Sequence, residues 1–509
     1  MGKNLSYDAV VIGAGNSGIV AALRLIKAGK KTLLIEKHNL PGGCSTSFVR
    51  GRFEFDATLH EFCNWGNDDN KGESRLLLEE LGLSNEWIEV PECYRVIIQK
   101  DSEGNYLDVT MPTGVKEYID QLETEVPGSR QSVEKLFALI EEMTAAVAYI
   151  NSTNGNPDSK HLQKNYPDFL RCAAYSCQKV FDALKIPKKA QDILAVYWTY
   201  LGQPMDTMAF LHYGMGIHQY ISRSPYIPVL TSHCTSVDLL EKYQELGREV
   251  WFNTAAVKIL VKDGKVTGVE TTKGSVDTKV VVGNLNPHTV FGQMIEEKEV
   301  PVREKMLASK RDFGFRFFNI YMGMNQTPEQ LGIKDYSVFL YDSANLREIY
   351  DQMGQIETND YAIFNCYNIA NPTCSPEGTS ICTITAMFSE DAWKDVSIEE
   401  YHRVKEEYAL RLIKLVEERL GIHLMDAIEE IEIATPVTFA RYLGTPQGTA
   451  YGYQTNLWDS MFARLMSMEQ DRTIEGLYLA GAAGPRAHGN NIGYTVGDTM
   501  GKLAVKALS

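Results

Sequence analysis

The sequence predicts an α/β fold: a parallel, doubly wound sheet assembled from both ends of the chain, with an α+β unit inserted between them. Three observations predict it. A strand, glycine turn, helix and second strand open the chain; a strand entering another glycine-rich loop and helix closes it; a long aromatic-rich helical stretch separates the two.

The opening unit reads Tyr7-Asp8-Ala9-Val10-Val11-Ile12-Gly13-Ala14-Gly15-Asn16-Ser17-Gly18. Ile19, Ala22, Leu23 and Ile26 then recur at helical spacing, Gly29 stops the helix, and a second strand at 31–35 ends in Glu36. This is a Rossmann-type βαβ unit with a Gly-x-Gly-x-x-Gly turn. Gly13 permits the tight turn, Gly15 lets backbone approach a pyrophosphate, and Gly18 lets helix pack on strand. The helix N-terminus offers unpaired N–H groups to phosphates. Glu36 stands about 20 residues on, where a carboxylate accepts from a ribose. With Asn16, Ser17 and Lys37 beside these positions, the unit predicts an adenine dinucleotide site.

The composition narrows the partners. The chain has 509 residues, 44% hydrophobic and 23% charged, with a net charge of −16. That charge argues against nucleic acid, which needs a basic face. Nine cysteines show no Cys-x-x-Cys and no Cys/His cluster at metal spacing, so no metal and a reducing compartment are expected. No apolar run reaches the roughly 18 residues of a spanning helix. The first strand begins within about six residues, leaving no room for a signal peptide, so the expected location is cytoplasmic.

Past Glu36, Pro41-Gly42-Gly43-Cys44-Ser45-Thr46-Ser47-Phe48 reads as a loop against which a ligand presses. Residues 53–60 alternate: Phe53, Phe55, Ala57 and Leu59 on one face, Glu54, Asp56, Thr58 and His60 on the other, predicting a half-buried strand. Residues 113–220 are mostly helical in pattern and carry Tyr175, Phe181, Tyr197, Trp198 and Tyr200, either as core or as an apolar lid. Sheet character returns at 249–260, and Asp263-Gly264 between apolar strands predicts a two-residue hairpin. A buried strand follows at 276–283. Further strands are expected at 313–321 and 381–387, and a helix at 398–419. The closing region runs from a strand at 476–481 into Ala482-Ala483-Gly484-Pro485-Arg486-Ala487-His488-Gly489-Asn490-Asn491-Ile492-Gly493 and a final helix.

These residues carry a resemblance. The Gly13–Gly18 turn, Glu36, Gly42-Gly43, the alternating 53–60 run and the closing 476–493 segment resemble the phytoene desaturase, carotenoid isomerase and retinol saturase family of FAD-dependent oxidoreductases. The run Thr254-Ala255-Ala256-Val257 is similar to the strand that lies against the adenine in such flavoproteins. The resemblance implies a glutathione reductase-like FAD domain formed by 1–65, 225–290 and 470–509. It implies a substrate domain with a helical lid formed by 66–224 and 291–469. It implies that FAD is held by Gly13, Gly15, Asn16, Ser17, Gly18, Glu36, Lys37, Gly42, Gly43, Cys44, Ser45, Ala256, Val257, Gly481, Ala482, Asn491, Ile492 and Gly493. Two departures stand out: Ala482 and Ala483 follow Gly481 where relatives often place an acidic residue, and Asn491-Ile492-Gly493 replaces a proline–glycine pair, which favours the retinol saturase branch.

No second Gly-x-Gly-x-x-Gly follows a strand, so NAD(P)H is expected to visit the substrate cavity as a transient donor, or another donor serves. The N–H groups of Asn491, Ile492 and Gly493 at a helix N-terminus would stabilise negative charge on a reduced flavin. His60 is the first candidate proton donor, with Tyr494 and His488 behind it, each with packing or loop bonding as the alternative. Glu61 positions His60 or solvates a loop. Cys44 is a redox thiol or a small residue needed for fit, and Arg486 pairs with a substrate carboxylate or lies at the surface. The implied activity is hydrogen transfer at a carbon–carbon double bond of a lipophilic polyene, isoprenoid or fatty-acid-like substrate, with peripheral membrane contact. A redox-neutral isomerase and a flavin amine oxidase are the alternatives. A lipid-binding escort protein without flavin would not need the intact glycine set.

Overall fold

A computed structural model of the chain describes residues 5–153, 155–449, 451–466, 473–481 and 489–509. Its centre is a five-stranded sheet in the order Val250–Trp251, Thr32–Ile35, Ala9–Ile12, Val280–Gly283 and Leu477–Leu479, every pair parallel. Ala9–Ile12, Thr32–Ile35 and Val280–Gly283 are buried along their whole length, as short apolar strands covered on both faces must be. The two ends of the chain meet here, Ala9–Ile12 and Leu477–Leu479 flanking Val280–Gly283.

The helix Asn16–Lys27 and the final helix Asn490–Ala507 pack together on one face. Their contact depends on missing side chains. A Cβ at Gly497 would stand 2.3 Å from the Ser17 carbonyl, and one at Gly501 would stand 3.1 Å from Ala21 Cα. Gly18 plays the same part against the sheet, since a Cβ there would meet the Gly13 carbonyl at 1.9 Å.

Beside this layer lies a four-stranded sheet of Leu5–Ser6, Gly274–Asp277, Lys265–Thr271 and Ala256–Lys262. The Asp263-Gly264 hairpin is present, both residues at positive φ (53° and 72°), as a two-residue turn between twisted strands requires. The expected single stretch at 249–260 is two strands in two different sheets, because Asn253 takes a left-handed φ of 50° and breaks the run.

A seven-stranded sheet runs Ile428–Ala434, Arg316–Met324, Ser380–Phe388, Ala362–Cys366, Ser337–Tyr341, Tyr94–Ile98 and Leu107–Met111. Helices Arg130–Ser152 and Phe210–Ile221, with shorter ones between, share its core cluster. The helix expected at 398–419 is Tyr401–Leu420, ended by Gly421 in a left-handed conformation.

One strand is shorter than its alternation implies. Phe53–Asp56 pairs with Ser47–Arg50 and stops there, because the partner begins at Ser47 and the chain beyond bonds elsewhere. Ala57 N–H donates to the Thr46 carbonyl at 2.9 Å, and the Thr58 hydroxyl to the Cys44 carbonyl at 2.9 Å. His60 therefore sits on a loop, not on a strand.

Candidate functional site

The parallel strands aim their carboxyl ends at one cavity of about 1670 Å³, the expected place for a ligand in such a sheet. Gly13, Gly15, Asn16 and Ser17 border it from the first turn, Glu36 and Lys37 from the second strand, and Gly42 to Ser45 from the following loop. Ala256 and Val257 close it near Glu36, and Gly481, Asn491, Ile492 and Gly493 close it from the C-terminal side. Gly18 does not reach the cavity and serves packing, as its place in the turn implies. Ala482 and His488, with Arg486, lie outside the described residues.

Polar bonds brace this rim from distant parts of the chain. The Ser17 hydroxyl donates to the Gly493 carbonyl and accepts from Gly481 N–H at 2.9 Å, tying the first turn to both parts of the last segment. Asn16 Nδ2 donates to Ser45 Oγ at 2.8 Å, while Ser236 Oγ donates to Asn16 Oδ1 at 2.8 Å. Asn284, just past the central strand, lies among Gly13, Gly15 and Gly481: Cβ atoms at Gly15 and Gly481 would stand 2.6 Å from its amide nitrogen and oxygen respectively. Ser236 and Asn284 escaped the sequence reading, since neither belongs to a motif.

The donors suit a dinucleotide. The helix Asn16–Lys27 starts from Gly15, and Asn490–Ala507 from Gly489, each without a side-chain cap, so first-turn N–H groups are left for a ligand. The final helix begins at Asn490, within the glycine-rich stretch that runs to Gly493. Gly493 N–H bonds the Gly489 carbonyl at 2.9 Å, so among the described residues the donors left open are Asn490, Asn491 and Ile492, and Gly493 contributes an open approach with no described atom within 4 Å of a would-be Cβ. Glu36 accepts Ala14 N–H at 2.7 Å and His38 N–H at 2.8 Å. Each oxygen keeps lone pairs for ribose hydroxyls. These residues fit a flavin adenine dinucleotide.

The proton-donor candidates fare differently. His60 borders the cavity, but burial pushes its imidazole down to about 4, so it is neutral at pH 7. Its Nε2 lies 3.0 Å from Thr385 Oγ1. Thr385 donates to Asn319 Oδ1 at 3.0 Å, and Asn319 Nδ2 faces the Tyr321 hydroxyl at 3.2 Å. That hydroxyl donates to the Ala57 carbonyl at 2.5 Å. The direction of this chain assigns the His60 proton to Nε2 and commits it to Thr385. At neutral pH His60 is thus a neutral ring bonded to Thr385. Tyr494 is 2% exposed in the apolar layer, its ring 6.0 Å from Phe62, and does not border the cavity. Glu61 makes no hydrogen bond to His60. Burial pushes the Cys44 thiol up to about 11, which suits a fitted small residue better than a redox thiolate.

Beyond the dinucleotide rim the cavity widens into a chamber between the seven-stranded sheet and the helices. Phe317, Met387, Leu201, Met215, Phe439 and Met461 are among its walls. Of the aromatic run at 197–200, Tyr200 faces the chamber. Tyr197 and Trp198 are core, and the Thr199 hydroxyl accepts from Tyr361 at 2.7 Å. Among the described residues no helix is long and apolar enough to cross a membrane, and no group of three His, Cys, Asp or Glu is placed to hold a metal.

The model for an NAD(P)-binding Rossmann-like domain matches residues 11–77. Over 93% of its length the chain is 23% identical to the all-trans-retinol 13,14-reductase of Danio rerio, covering 82% of that protein. It is 24% identical over 94% of its length to the chloroplastic prolycopene isomerase of Daucus carota, covering 77% of it. A putrescine oxidase variant shares the fold with a TM-score of 0.65 at 15% identity, over 99% of both chains. The resemblance carried by the two ends thus extends over more than nine-tenths of the chain. Over 93–94% of its length the chain is similar to a retinol reductase and a carotenoid isomerase, and it shares the fold of a putrescine oxidase.

Proposed function

We propose that this enzyme transfers hydrogen at a carbon–carbon double bond of a lipophilic polyene or isoprenoid, using FAD held at the rim described above. The observation that carries this reading is the continuity of one cavity from dinucleotide groove to apolar chamber. Its volume of about 1670 Å³ exceeds the roughly 300–1,000 Å³ of a pocket for one drug-sized ligand, leaving room for a second molecule beside the cofactor. When bound, the flavin supplies hydride transfer. The chain contributes position and exclusion of water. Phe317, Met387 and Phe439 give an extended hydrocarbon a dry wall, and the first-turn amides of the final helix present positive dipole ends to negative charge. The retinol reductase and prolycopene isomerase likenesses support a conjugated lipid as substrate.

NADH or NADPH, entering the same cavity, is the electron donor in this proposal. The location is cytoplasmic, with transient contact at a membrane surface to collect the lipid. The test is anaerobic reduction of the purified protein by NADH, NADPH or dithionite, then addition of conjugated alkenes and enones. Return of the yellow oxidised absorbance with a saturated product supports the reading. Failure of every conjugated lipid to reoxidise dithionite-reduced enzyme refutes it. Isomerised product with no net electron consumption selects the redox-neutral alternative suggested by the carrot relative.

A further inference from the structure

One buried acid in the chamber has no role in anything described above. Glu61 is 7% exposed and Tyr200 is 9% exposed, and both border the cavity. The Tyr200 hydroxyl lies beside the Glu61 carboxyl, and among the described residues neither group makes a well-formed hydrogen bond, to the other or elsewhere. Buried polar atoms are almost always well paired, so a carboxyl and a phenol left this poorly bonded on a cavity wall need a reason.

The surroundings narrow it. The groups facing Glu61 are the Glu92 carboxyl, the Cys63 and Cys93 thiols and the phenols of Tyr197, Tyr200, Tyr220 and Tyr336. Most have partners elsewhere: Tyr197 donates to the Cys93 carbonyl at 2.6 Å, Tyr336 to the His60 carbonyl, Cys63 to Gln219 Oε1 at 3.4 Å, and Glu92 accepts Tyr336 N–H at 2.5 Å. No described cation is paired with Glu61. Burial pushes its carboxyl up to about 8, against the Tyr200 hydroxyl, which lowers it, and with a smaller push from Glu92, so at neutral pH it carries a proton and can both donate and accept.

We infer that Glu61 and Tyr200 form the polar end of the substrate chamber and hydrogen-bond a neutral oxygen function, a hydroxyl or carbonyl, at one end of an otherwise hydrocarbon substrate. This rests on the lipophilic-substrate reading and sharpens it. A pure hydrocarbon leaves the carboxyl and phenol unpaired, and sites built to bond a hydroxyl reject analogues lacking it strongly. The Glu61–Tyr200 pair therefore selects an oxygen-bearing lipid over a plain polyene.

The test uses the flavin-loaded protein and three matched probes: all-trans-retinol, the hydrocarbon lacking its hydroxyl, and the corresponding primary amine. Binding is read by quenching of tryptophan fluorescence, independently of turnover. The wild type is expected to bind the alcohol at least about tenfold more tightly than the hydrocarbon, the equivalent of one good hydrogen bond. Glu61→Gln, which stays neutral and hydrogen-bonding, should keep most of that preference. Glu61→Leu should erase it by weakening the alcohol alone, and Tyr200→Phe should reduce it, which covers the case in which Glu61→Leu fails to fold. Equal binding of alcohol and hydrocarbon by the wild type overturns the inference while leaving the lipid reading intact. Tightest binding of the amine, abolished by Glu61→Gln, also overturns it, making Glu61 a counter-ion. If none of the three binds the wild type, the lipid reading fails and the inference falls with it.

Discussion

Gly15→Ala distinguishes a glycine required for ligand approach from one required only for packing. Gly15 sits at φ −77°, ψ 170°, a conformation open to any residue, so backbone strain does not reserve the position. A Cβ there would stand 2.6 Å from Asn284 Nδ2 and 3.7 Å from the Gly42 carbonyl. The Asn284 amide can swing aside, at about 0.5–1.5 kcal/mol for an off-rotamer side chain, within a total overpacking cost of about 1–3 kcal/mol. Set wholly against cofactor binding, that cost weakens FAD by about fivefold to 150-fold. A pyrophosphate passing over the Gly15 Cα adds a second clash, which removing the Asn284 amide does not relieve. The informative variant is therefore Gly15→Ala combined with Asn284→Ala, compared with Asn284→Ala alone. FAD affinity is measured by titrating apoprotein and following flavin fluorescence. The expected result is that Gly15→Ala and the double variant both lose more than about 150-fold, beyond what overpacking supplies. Recovery of the double variant to the level of Asn284→Ala would show that Gly15 serves packing only, and the close-approach reading would be wrong.

Three further outcomes follow from the same geometry. Ser17→Ala leaves Gly481 N–H without its 2.9 Å acceptor and should cost about 1–3 kcal/mol; a thermal unfolding midpoint unchanged with and without FAD would contradict the bracing role. Thr385→Val strands the His60 Nε2–H, held at 3.0 Å, at a similar cost, read as a lower urea midpoint at saturating FAD. Glu61→Gln should change how stability depends on pH. Its folded carboxyl titrates at about 8 against an ordinary 4.5, so the unfolded chain gives up this proton first and stability falls as pH rises between those values. One such group contributes a slope of up to about 1.4 kcal/mol per pH unit. Between pH 6.5 and 8 Glu61→Gln should gain on the wild type, the histidines common to both cancelling in the difference; an identical difference at both pH values would exclude a buried protonated Glu61.

What could be read from the chain was local. Gly13, Gly15 and Gly18, with the stripe at Ile19, Ala22, Leu23 and Ile26, define a unit whose parts lie within one turn or helix of each other. The Asp263-Gly264 hairpin is legible for the same reason, its turn chemistry residing in two residues. The seven-stranded sheet was beyond reach because its order depends on pairings such as Ser337–Tyr341 beside Tyr94–Ile98, for which the sequence carries no local signal. The run at 53–60 shows how periodicity overreaches: its alternation continues past Asp56, but a strand lasts only as long as its partner, and the partner starts at Ser47.

His60 and Glu61 show why side-chain chemistry is harder to read than fold. As neighbours in sequence they look like an acid supporting a histidine, the usual arrangement for proton transfer. The fold separates their tasks. Thr385, more than 300 residues away, fixes the imidazole proton, and burial keeps the ring neutral. The carboxyl turns instead toward Tyr200 on the helical side, where among the described residues it makes no well-formed hydrogen bond. Around the dinucleotide rim, Asn16, Ser45 and Ser236 satisfy one another and Ser17 bonds Gly481 and Gly493, which is what a rigid cradle requires. In the chamber the polar groups of Glu61 and Tyr200 stay unsatisfied, and a cost that the folded chain alone does not offset is best explained by a ligand that completes them.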